Sequence, residues 1–315
     1  MLIDEARITA AQAEKLEDIR RWLSPPDPWK NHNIACKSRH GESASWFLQG
    51  NTYSEWKASK APGSLLWVHG KRPLRQFLVA RSETDISIFV AGAGKSVLWY
   101  VKLFIFLSGT HRVGSSTIIE DIDAMRKAGL ASLAFFYCDF REDQKKGLRG
   151  MLSSLLVELC QQSNSYFDIL SKLYSEHAIG SRHPSDDVLA GCLKGVLKLP
   201  GHAPVYLIVD ALDECPNTSS IPSPRGEVLN LIEERIGSEF PNLRICVTSR
   251  PETDIKDFLD PLVLHTVSLH EESGQKRDVE EYIKSVVHTD PKNERWNAED
   301  RQLVINILTR NADGM

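Results

Sequence analysis

Short apolar runs that alternate with helical patterns constrain the fold of this chain more than any other feature. From Leu65 onward, five runs are typical of β-strands: Leu65–His69, Ser132–Cys138, Val205–Val209, Arg244–Thr248 and Val263–Leu269. Helical patterns lie between them, at about 116–128, 147–162, 185–198 and 225–236. Such alternation predicts a parallel sheet with helices on both faces. The strands are continuous apolar runs, which indicates that both of their sides are covered.

Both ends of the chain show further helical patterns. Residues 2–23 place apolar side chains at helical spacing among charges, and Ser24-Pro25-Pro26-Asp27-Pro28 predicts a firm end to that helix. Residues 276–288 and 298–311 predict two more helices. We therefore expect an N-terminal amphipathic helix with a proline-rich linker (1–28), an α/β core (29–270) and the start of a helical subdomain (271–315).

The charge and hydropathy of the chain argue against nucleic acid and membrane as partners. The formal net charge is -4, and the basic residues are scattered rather than gathered in a stripe. Val97–Ser108 is apolar, but Lys102 interrupts it. It has about 12 residues, whereas a membrane-spanning helix needs roughly 20. We expect no nucleic-acid partner and no membrane span.

The cysteines indicate a reducing compartment. They lie far apart, with no Cys-x-x-Cys or Cys/His ligand spacing, and several sit inside apolar runs. A free thiol packs in such a run as a small hydrophobic group. The N-terminus lacks the basic start and apolar run of a secretory signal. We therefore expect reduced cysteines and an intracellular, cytoplasmic protein.

Gly92-Ala93-Gly94-Lys95-Ser96 is the first segment that suggests a chemical role. Glycines let backbone N–H groups wrap phosphate oxygens, a lysine reaches the β and γ phosphates, and a hydroxyl group binds Mg²⁺. The segment supplies all three kinds of group. The usual pattern also has a glycine five residues before Gly94, where this chain has Phe89. A flexible loop is the alternative interpretation.

The strand that ends at Asp210 supplies a second group of candidate residues. At the carboxyl edge of a parallel sheet, Asp210 can hold Mg²⁺ directly or through water, in the Walker B role. Asp213 and Glu214 follow at a spacing that suits a carboxylate orienting or deprotonating an attacking water. Alternatively, Asp210 is a turn residue, and Asp213 and Glu214 are a solvated pair.

A third strand, which begins at Leu243, ends in Thr248-Ser249-Arg250. In a sheet shared with the other two segments, these side chains lie near the γ-phosphate and can sense or stabilise its charge. The alternative is that Arg250 only pairs with a surface carboxylate.

Five ordered motifs together resemble the NACHT domain of signal-transduction NTPases, which belong to the STAND class of P-loop NTPases. The likeness is greatest to the fungal set, whose N-terminal region is also described as nephrocystin-3-like. The motifs are Trp67-Val-His-Gly-Lys71, Gly92-Ala-Gly-Lys-Ser96, Phe135-Phe-Tyr-Cys-Asp-Phe140, Ile208-Val-Asp-Ala-Leu-Asp-Glu214 and Val247-Thr-Ser-Arg-Pro251. The resemblance covers roughly residues 15–315 and implies a P-loop NTPase fold for residues 29–270.

By this resemblance, the chain would bind ATP or GTP with Mg²⁺, hydrolyse it slowly and act as a switch that controls oligomerisation. The residues that carry over as nucleotide contacts are Gly70, Gly92, Ala93, Gly94, Lys95, Ser96 and Thr248. Ser96 and Asp210 carry over as Mg²⁺ contacts, and Asp213, Glu214 and Arg250 as catalytic candidates. Family members usually append C-terminal repeats that select partners, so self-association or protein partners are expected and the chain resembles a truncated member.

Two stretches interrupt the family pattern. In the family, Gly70-Lys71 would lead almost directly into Gly92, but residues 72–91 intervene, and residues 99–114 separate the loop from the helical segment that begins at Ser115. One hypothesis is that both inserts are translated introns or a gene-model error. The alternative is a real chain in which Ile86–Val90 is the strand that leads into the phosphate loop, followed by a helix over Val97–Leu107.

The motifs leave three functions open. The first is the nucleotide-dependent switch, and the second is a catalytically dead scaffold whose phosphate loop is broken by the inserts. The third is a small-molecule kinase, which Asp210-Ala-Leu-Asp-Glu214 disfavours because a kinase needs an acceptor site rather than carboxylates aimed at water.

Overall fold

The computed structural model describes residues 10–38, 44–70, 110–177, 180–200, 203–236, 240–269, 273–289 and 296–312. These residues form a five-stranded sheet in the order β2-β3-β4-β1-β5. Its strands are β1 (Ser64–His69), β2 (Ser132–Tyr137), β3 (Val205–Asp210), β4 (Leu243–Ser249) and β5 (His265–Ser268). Every pairing in it is parallel. The predicted α/β class, with a P-loop-like three-layer arrangement, is confirmed.

Helices connect the strands and flank them at both ends of the chain. Those before β2 are α1 (Ala10–Leu23), α2 (Pro28–Ser38), α3 (Ser45–Leu48), α4 (Asn51–Ala58) and α5 (Thr110–Lys127). Those after β2 are α6 (Leu148–Cys160), α7 (Asn164–Glu176), α8 (Asp186–Leu197), α9 (Pro224–Ile236), α10 (Thr253–Leu259), α11 (Ser273–Thr289) and α12 (Ala298–Ala312). Two 3₁₀ turns lie at Asp143–Lys145 and Leu212–Glu214.

Each face of the sheet has its own hydrophobic core. Along β3, Val205, Leu207 and Val209 belong to one core, while Tyr206 and Ile208 belong to the other. This alternation follows from the two-residue period of a strand. The first core is formed with α1 and α6–α10, and the second with α3, α4 and α5. The continuous apolar runs of the sequence are therefore explained by helices on both faces.

The predicted linker ends one residue earlier than expected. The first helix ends at Leu23, but Pro28 already begins α2, which covers the part of β2 that carries Phe135. Proline suits the first turn of a helix because the N–H that it lacks has no partner inside the helix. The Nζ of Lys145, which is 1% exposed, donates to Asn31 on α2 at 2.6 Å. The chain after the linker is thus part of the core.

Strand β2 lies at an edge of the sheet, and two side chains cover its outer side. The N–H of Phe135 donates to a carboxylate oxygen of Glu158 at 2.8 Å, and the N–H of Leu133 donates to the amide oxygen of Gln162 at 3.0 Å. The amide nitrogen of Gln162 in turn donates to the carbonyl of Leu133. These bonds satisfy backbone groups that would otherwise be open to pairing with another strand. Burial raises the pKa of Glu158 to about 8, although the hydrogen bond from Phe135 opposes this shift.

The C-terminal helices α11 and α12 share a separate small core, in which Ile283 and Val287 are buried. Contacts with Trp46 on α3 attach them to the rest of the protein. Asp278 accepts from the indole N–H of Trp46 at 2.9 Å and from the backbone N–H of Ala44 at 2.6 Å. A Cβ on Gly274 would lie 2.2 Å from the same indole, so this close approach requires glycine.

Two general features complete the description. All six cysteines are free thiols. Among the described residues, no helix combines the length and the apolar character that crossing a membrane requires.

Candidate functional site

The carboxyl ends of the strands bring most of the described candidate residues to one edge of the sheet. The register aligns Tyr137 of β2 with Asp210 of β3, and Val68 of β1 with Thr248 of β4. Gly70 follows directly after β1 and is buried. In open α/β sheets, ligands bind outside this edge.

Asp210 and Thr248 form the centre of the site. Both residues are completely buried, and the Thr248 hydroxyl donates to a carboxylate oxygen of Asp210 at 2.5 Å. The N–H of Ala211 donates to the same hydroxyl at 3.0 Å. Ala211 has a left-handed backbone with φ of 55°, which is unusual for a residue with a side chain. The strand therefore ends in a sharp turn, and the hydroxyl of Thr248 fixes both the turn and the carboxylate.

We expect Thr248→Val to lower the free energy of unfolding by about 1–3 kcal/mol, because a buried carboxylate and a buried N–H each lose a hydrogen bond. Thr248→Ser keeps the hydroxyl and should lose much less. Urea denaturation of the three proteins measures the difference. Equal stability of the valine and serine variants would contradict this role for the hydroxyl.

Asp213 and Arg250 are held together beside this centre. The N–H of Arg250 donates to one carboxylate oxygen of Asp213 at 2.9 Å, and the guanidinium lies 3.5 Å from the other. The side chain of Asp213 is 8% exposed and that of Arg250 is 37% exposed. Arg250 thus pairs with a carboxylate, as the alternative interpretation of the sequence had it, but that carboxylate is mostly buried and itself belongs to the candidate site.

Arg225 on α9 is a further residue of the site, and the sequence interpretation did not identify it. Its guanidinium donates to the carbonyl of Asp213 at 2.7 Å and to the carbonyl of Cys215 at 3.0 Å. The same group donates to Glu252 and Asp254, each at 2.9 Å. The sequence shows only an arginine at the start of the predicted helix 225–236. Arg225 therefore joins two segments. One is the 3₁₀ turn that contains Asp213 and Glu214, and the other is the start of α10.

A hydrogen bond between β1 and β4 orders the next part of the edge. The indole N–H of Trp67 donates to the Ser249 hydroxyl at 2.9 Å. The Trp67 and His69 rings lie 4.4 Å apart between their centroids. The last side chain of β4 is therefore fixed to the strand that leads to Gly70.

The end of β2 contributes another buried acid. Asp139 is 2% exposed, and Arg141 donates to both of its carboxylate oxygens, at 2.8 and 2.7 Å. The hydrogen bond with Asp139 raises the pKa of Arg141.

Cys138, one residue before Asp139, contacts a second cysteine. The Sγ of Cys215 donates to the Sγ of Cys138 at 3.3 Å, and this bond together with burial raises the pKa of the Cys138 thiol. The contact between the two Sγ atoms links β2 to the turn after β3.

Acidic side chains line the open cavity beside Arg250. This cavity has a volume of about 840 Å³, and Glu252, Asp254 and Asp257 contribute to its wall. Three carboxylates beside one guanidinium do not favour an anion.

The remaining predicted contacts, Gly92, Ala93, Gly94, Lys95 and Ser96, lie outside the described residues, as does the first insert, 72–91. The alternative strand Ile86–Val90 and helix Val97–Leu107 lie there too. Of the second insert, 99–114, the last five residues already belong to α5, which begins at Thr110. The described site thus contains Gly70, Asp210, Asp213, Glu214, Thr248 and Arg250.

The parallel sheet, the helices on both of its faces and its polar strand ends define an α/β protein with a P-loop-like arrangement. The chain belongs to the family described as nephrocystin 3, N-terminal, whose family model matches residues 89–250, just over half of the chain. The match contains every predicted site residue except Gly70. No curated protein matches the chain significantly. The nephrocystin-3-like part of the predicted resemblance is confirmed.

Proposed function

We propose that this chain binds a nucleoside triphosphate, ATP or GTP, together with Mg²⁺, and hydrolyses it slowly. The observation that carries the proposal is the buried pair of Asp210 and Thr248 at the carboxyl edge of the sheet. A fixed carboxylate at this position is suited to hold Mg²⁺. Lys95 and Ser96 of the matched family region would supply the lysine and hydroxyl that a phosphate-bound Mg²⁺ requires.

The positions of Asp213 and Arg250 support hydrolysis coupled to a conformational switch. The two side chains neutralise one another next to Asp210. A γ-phosphate that attracted the guanidinium would weaken this pair and leave Asp213 or Glu214 to orient a water. Nucleotide binding would then change the turn that holds Asp213, which is the kind of change a NACHT-type switch of the STAND class uses to control self-association.

Binding of a fluorescent ATP or GTP analogue, with and without Mg²⁺, tests this function. Lys95→Ala should weaken binding by about 10- to 150-fold, because hydrogen bonds to a charged group contribute about 1.5–3 kcal/mol. Asp210→Asn keeps an oxygen that accepts from Thr248 but loses the charge, so it should remove mainly the Mg²⁺-dependent part of binding. Lys60→Ala, at an exposed lysine before β1, is the matched control and should bind as the wild type does.

A nucleotide-independent scaffold is the second candidate, and Phe89 in place of the usual glycine is the observation that favours it. In that case, wild type and Lys95→Ala would bind nucleotide equally poorly, and Mg²⁺ would have no effect. This result would contradict the proposed function.

A further inference from the structure

Three side chains with metal-binding atoms meet where α2 lies against α5. They are His32 and Cys36 on α2 and Glu120 on α5, and one ligand atom of each lies within 4.8 Å of the others. His32 and Cys36 are four residues apart on a helix, so they lie on the same face. The sequence interpretation did not identify these three residues as a group.

The distances fit one tetrahedral ion. The Nε2 of His32 lies 3.4 Å from the Sγ of Cys36, and that Sγ lies 3.4 Å from a carboxylate oxygen of Glu120. With Zn–S near 2.3 Å and Zn–N or Zn–O near 2.0–2.1 Å, two ligand atoms at the tetrahedral angle lie about 3.5 Å apart. An ion can therefore enter the cluster without a large rearrangement of α2.

Neighbouring groups hold the imidazole of His32 in the orientation that a ligand needs. The ring is 4% exposed, and its Nδ1 lies 3.2 Å from the Tyr137 hydroxyl of β2. The rings of Trp29 and Phe135 pack around it, with centroids 5.3 and 5.5 Å away. A hydrogen bond on one ring nitrogen is the usual support for a metal ligand at the other. It directs Nε2 towards Cys36.

We propose that His32, Cys36 and Glu120 bind one Zn²⁺ ion, which joins α2 to α5. Imidazole, thiolate and carboxylate are the side chains that Zn²⁺ takes in proteins, and a thiolate disfavours Mg²⁺ and Ca²⁺. Three protein ligands leave a fourth position for water. Binding releases the thiol proton of Cys36 to solvent. The ion would fasten the segment after the proline-rich linker to the helix that follows the matched phosphate-loop region.

Metal titration of the full 315-residue chain, prepared without metal, tests the site. Co²⁺ should bind with one equivalent and give thiolate-to-metal charge-transfer absorption, which Zn²⁺ then abolishes by displacement. Cys36→Ser should remove this absorption. Cys192→Ser, at a cysteine on α8, is the matched control and should keep it.

A second variant keeps the test valid if Cys36→Ser fails to fold. Glu120 is exposed, so Glu120→Gln should fold normally, keep the charge-transfer absorption and weaken Zn²⁺ binding at least about tenfold, as measured by competition with a chromogenic chelator. Absence of the absorption in the wild type would overturn the proposal. Absorption of equal strength in Cys36→Ser, or unchanged Zn²⁺ affinity in Glu120→Gln, would overturn it as well.

Discussion

Arg225→Ala is expected to lower the free energy of unfolding by about 3–5 kcal/mol, which is what breaking a buried ion pair by removal of one partner typically costs. The guanidinium is 5% exposed and bridges Glu252 and Asp254 while donating to two carbonyls of the turn after β3. Without it, two acidic side chains at the start of α10 repel one another, and the turn loses its attachment to α9. Urea denaturation monitored by tryptophan fluorescence measures the change.

Arg225→Lys separates the geometry of Arg225 from its charge, and Arg149→Ala is a surface control. Arg225→Lys keeps the charge but cannot donate to four groups in the same fork, so it should recover only part of the stability. Arg149→Ala removes a surface pair in which both side chains are about 40% exposed, at 42% and 39%, and should cost no more than about 1 kcal/mol. If Arg225→Ala destabilised the protein no more than Arg149→Ala, the bridging role would be refuted.

The second large effect is a loss of stability as the pH rises from about 4.5 to about 8. Burial raises the pKa of Glu158 in the folded state from 4.5 to about 8, so the folded state binds a proton that the unfolded state releases over this range. Stability falls with pH wherever the folded state binds more protons, and the loss from this group is on the order of 3–5 kcal/mol. The loss of stability from Glu158 is absent below about pH 4.5 and complete above about pH 8.

Glu158→Gln isolates this contribution. The amide oxygen can still accept from the N–H of Phe135, but it carries no charge at any pH. The variant should therefore become more stable relative to the wild type as the pH rises, in denaturation series at pH 5, 7 and 9. Glu176→Gln, at an exposed glutamate that ends α7, should follow the wild type. A difference between Glu158→Gln and wild type that stayed constant with pH would contradict the raised pKa.

The sequence predicted the sheet well because buried parallel strands are continuous apolar runs. The predicted strand Val205–Val209 differs from β3 only by Asp210, which completes the strand. The predicted helix 185–198 corresponds to α8, where Ser185 accepts from the N–H of Val188 and caps the helix. Patterns of this kind depend on neighbouring residues alone, so they can be recognised without knowledge of the fold.

Other parts of the site depend on contacts that sequence spacing does not reveal. The bonds of Arg225 join segments 10–29 residues away, and the pair of Asp213 and Arg250 spans 37 residues. Helix α2 was not predicted either. Residues of this kind have identifiable chemistry, but their partners are set by strand order and helix packing.

The contact of Gly274 and Asp278 with Trp46 has a mechanical consequence. Helix α11 cannot rotate about this point without displacing the indole, because no space for a Cβ exists at Gly274. Helix α3, which carries Trp46, leads into α4. There the indole N–H of Trp56 donates to the carbonyl of Ser64, the first residue of β1. A force applied to the C-terminal helix pair is therefore transmitted, through two tryptophans, to the strand that ends beside Gly70.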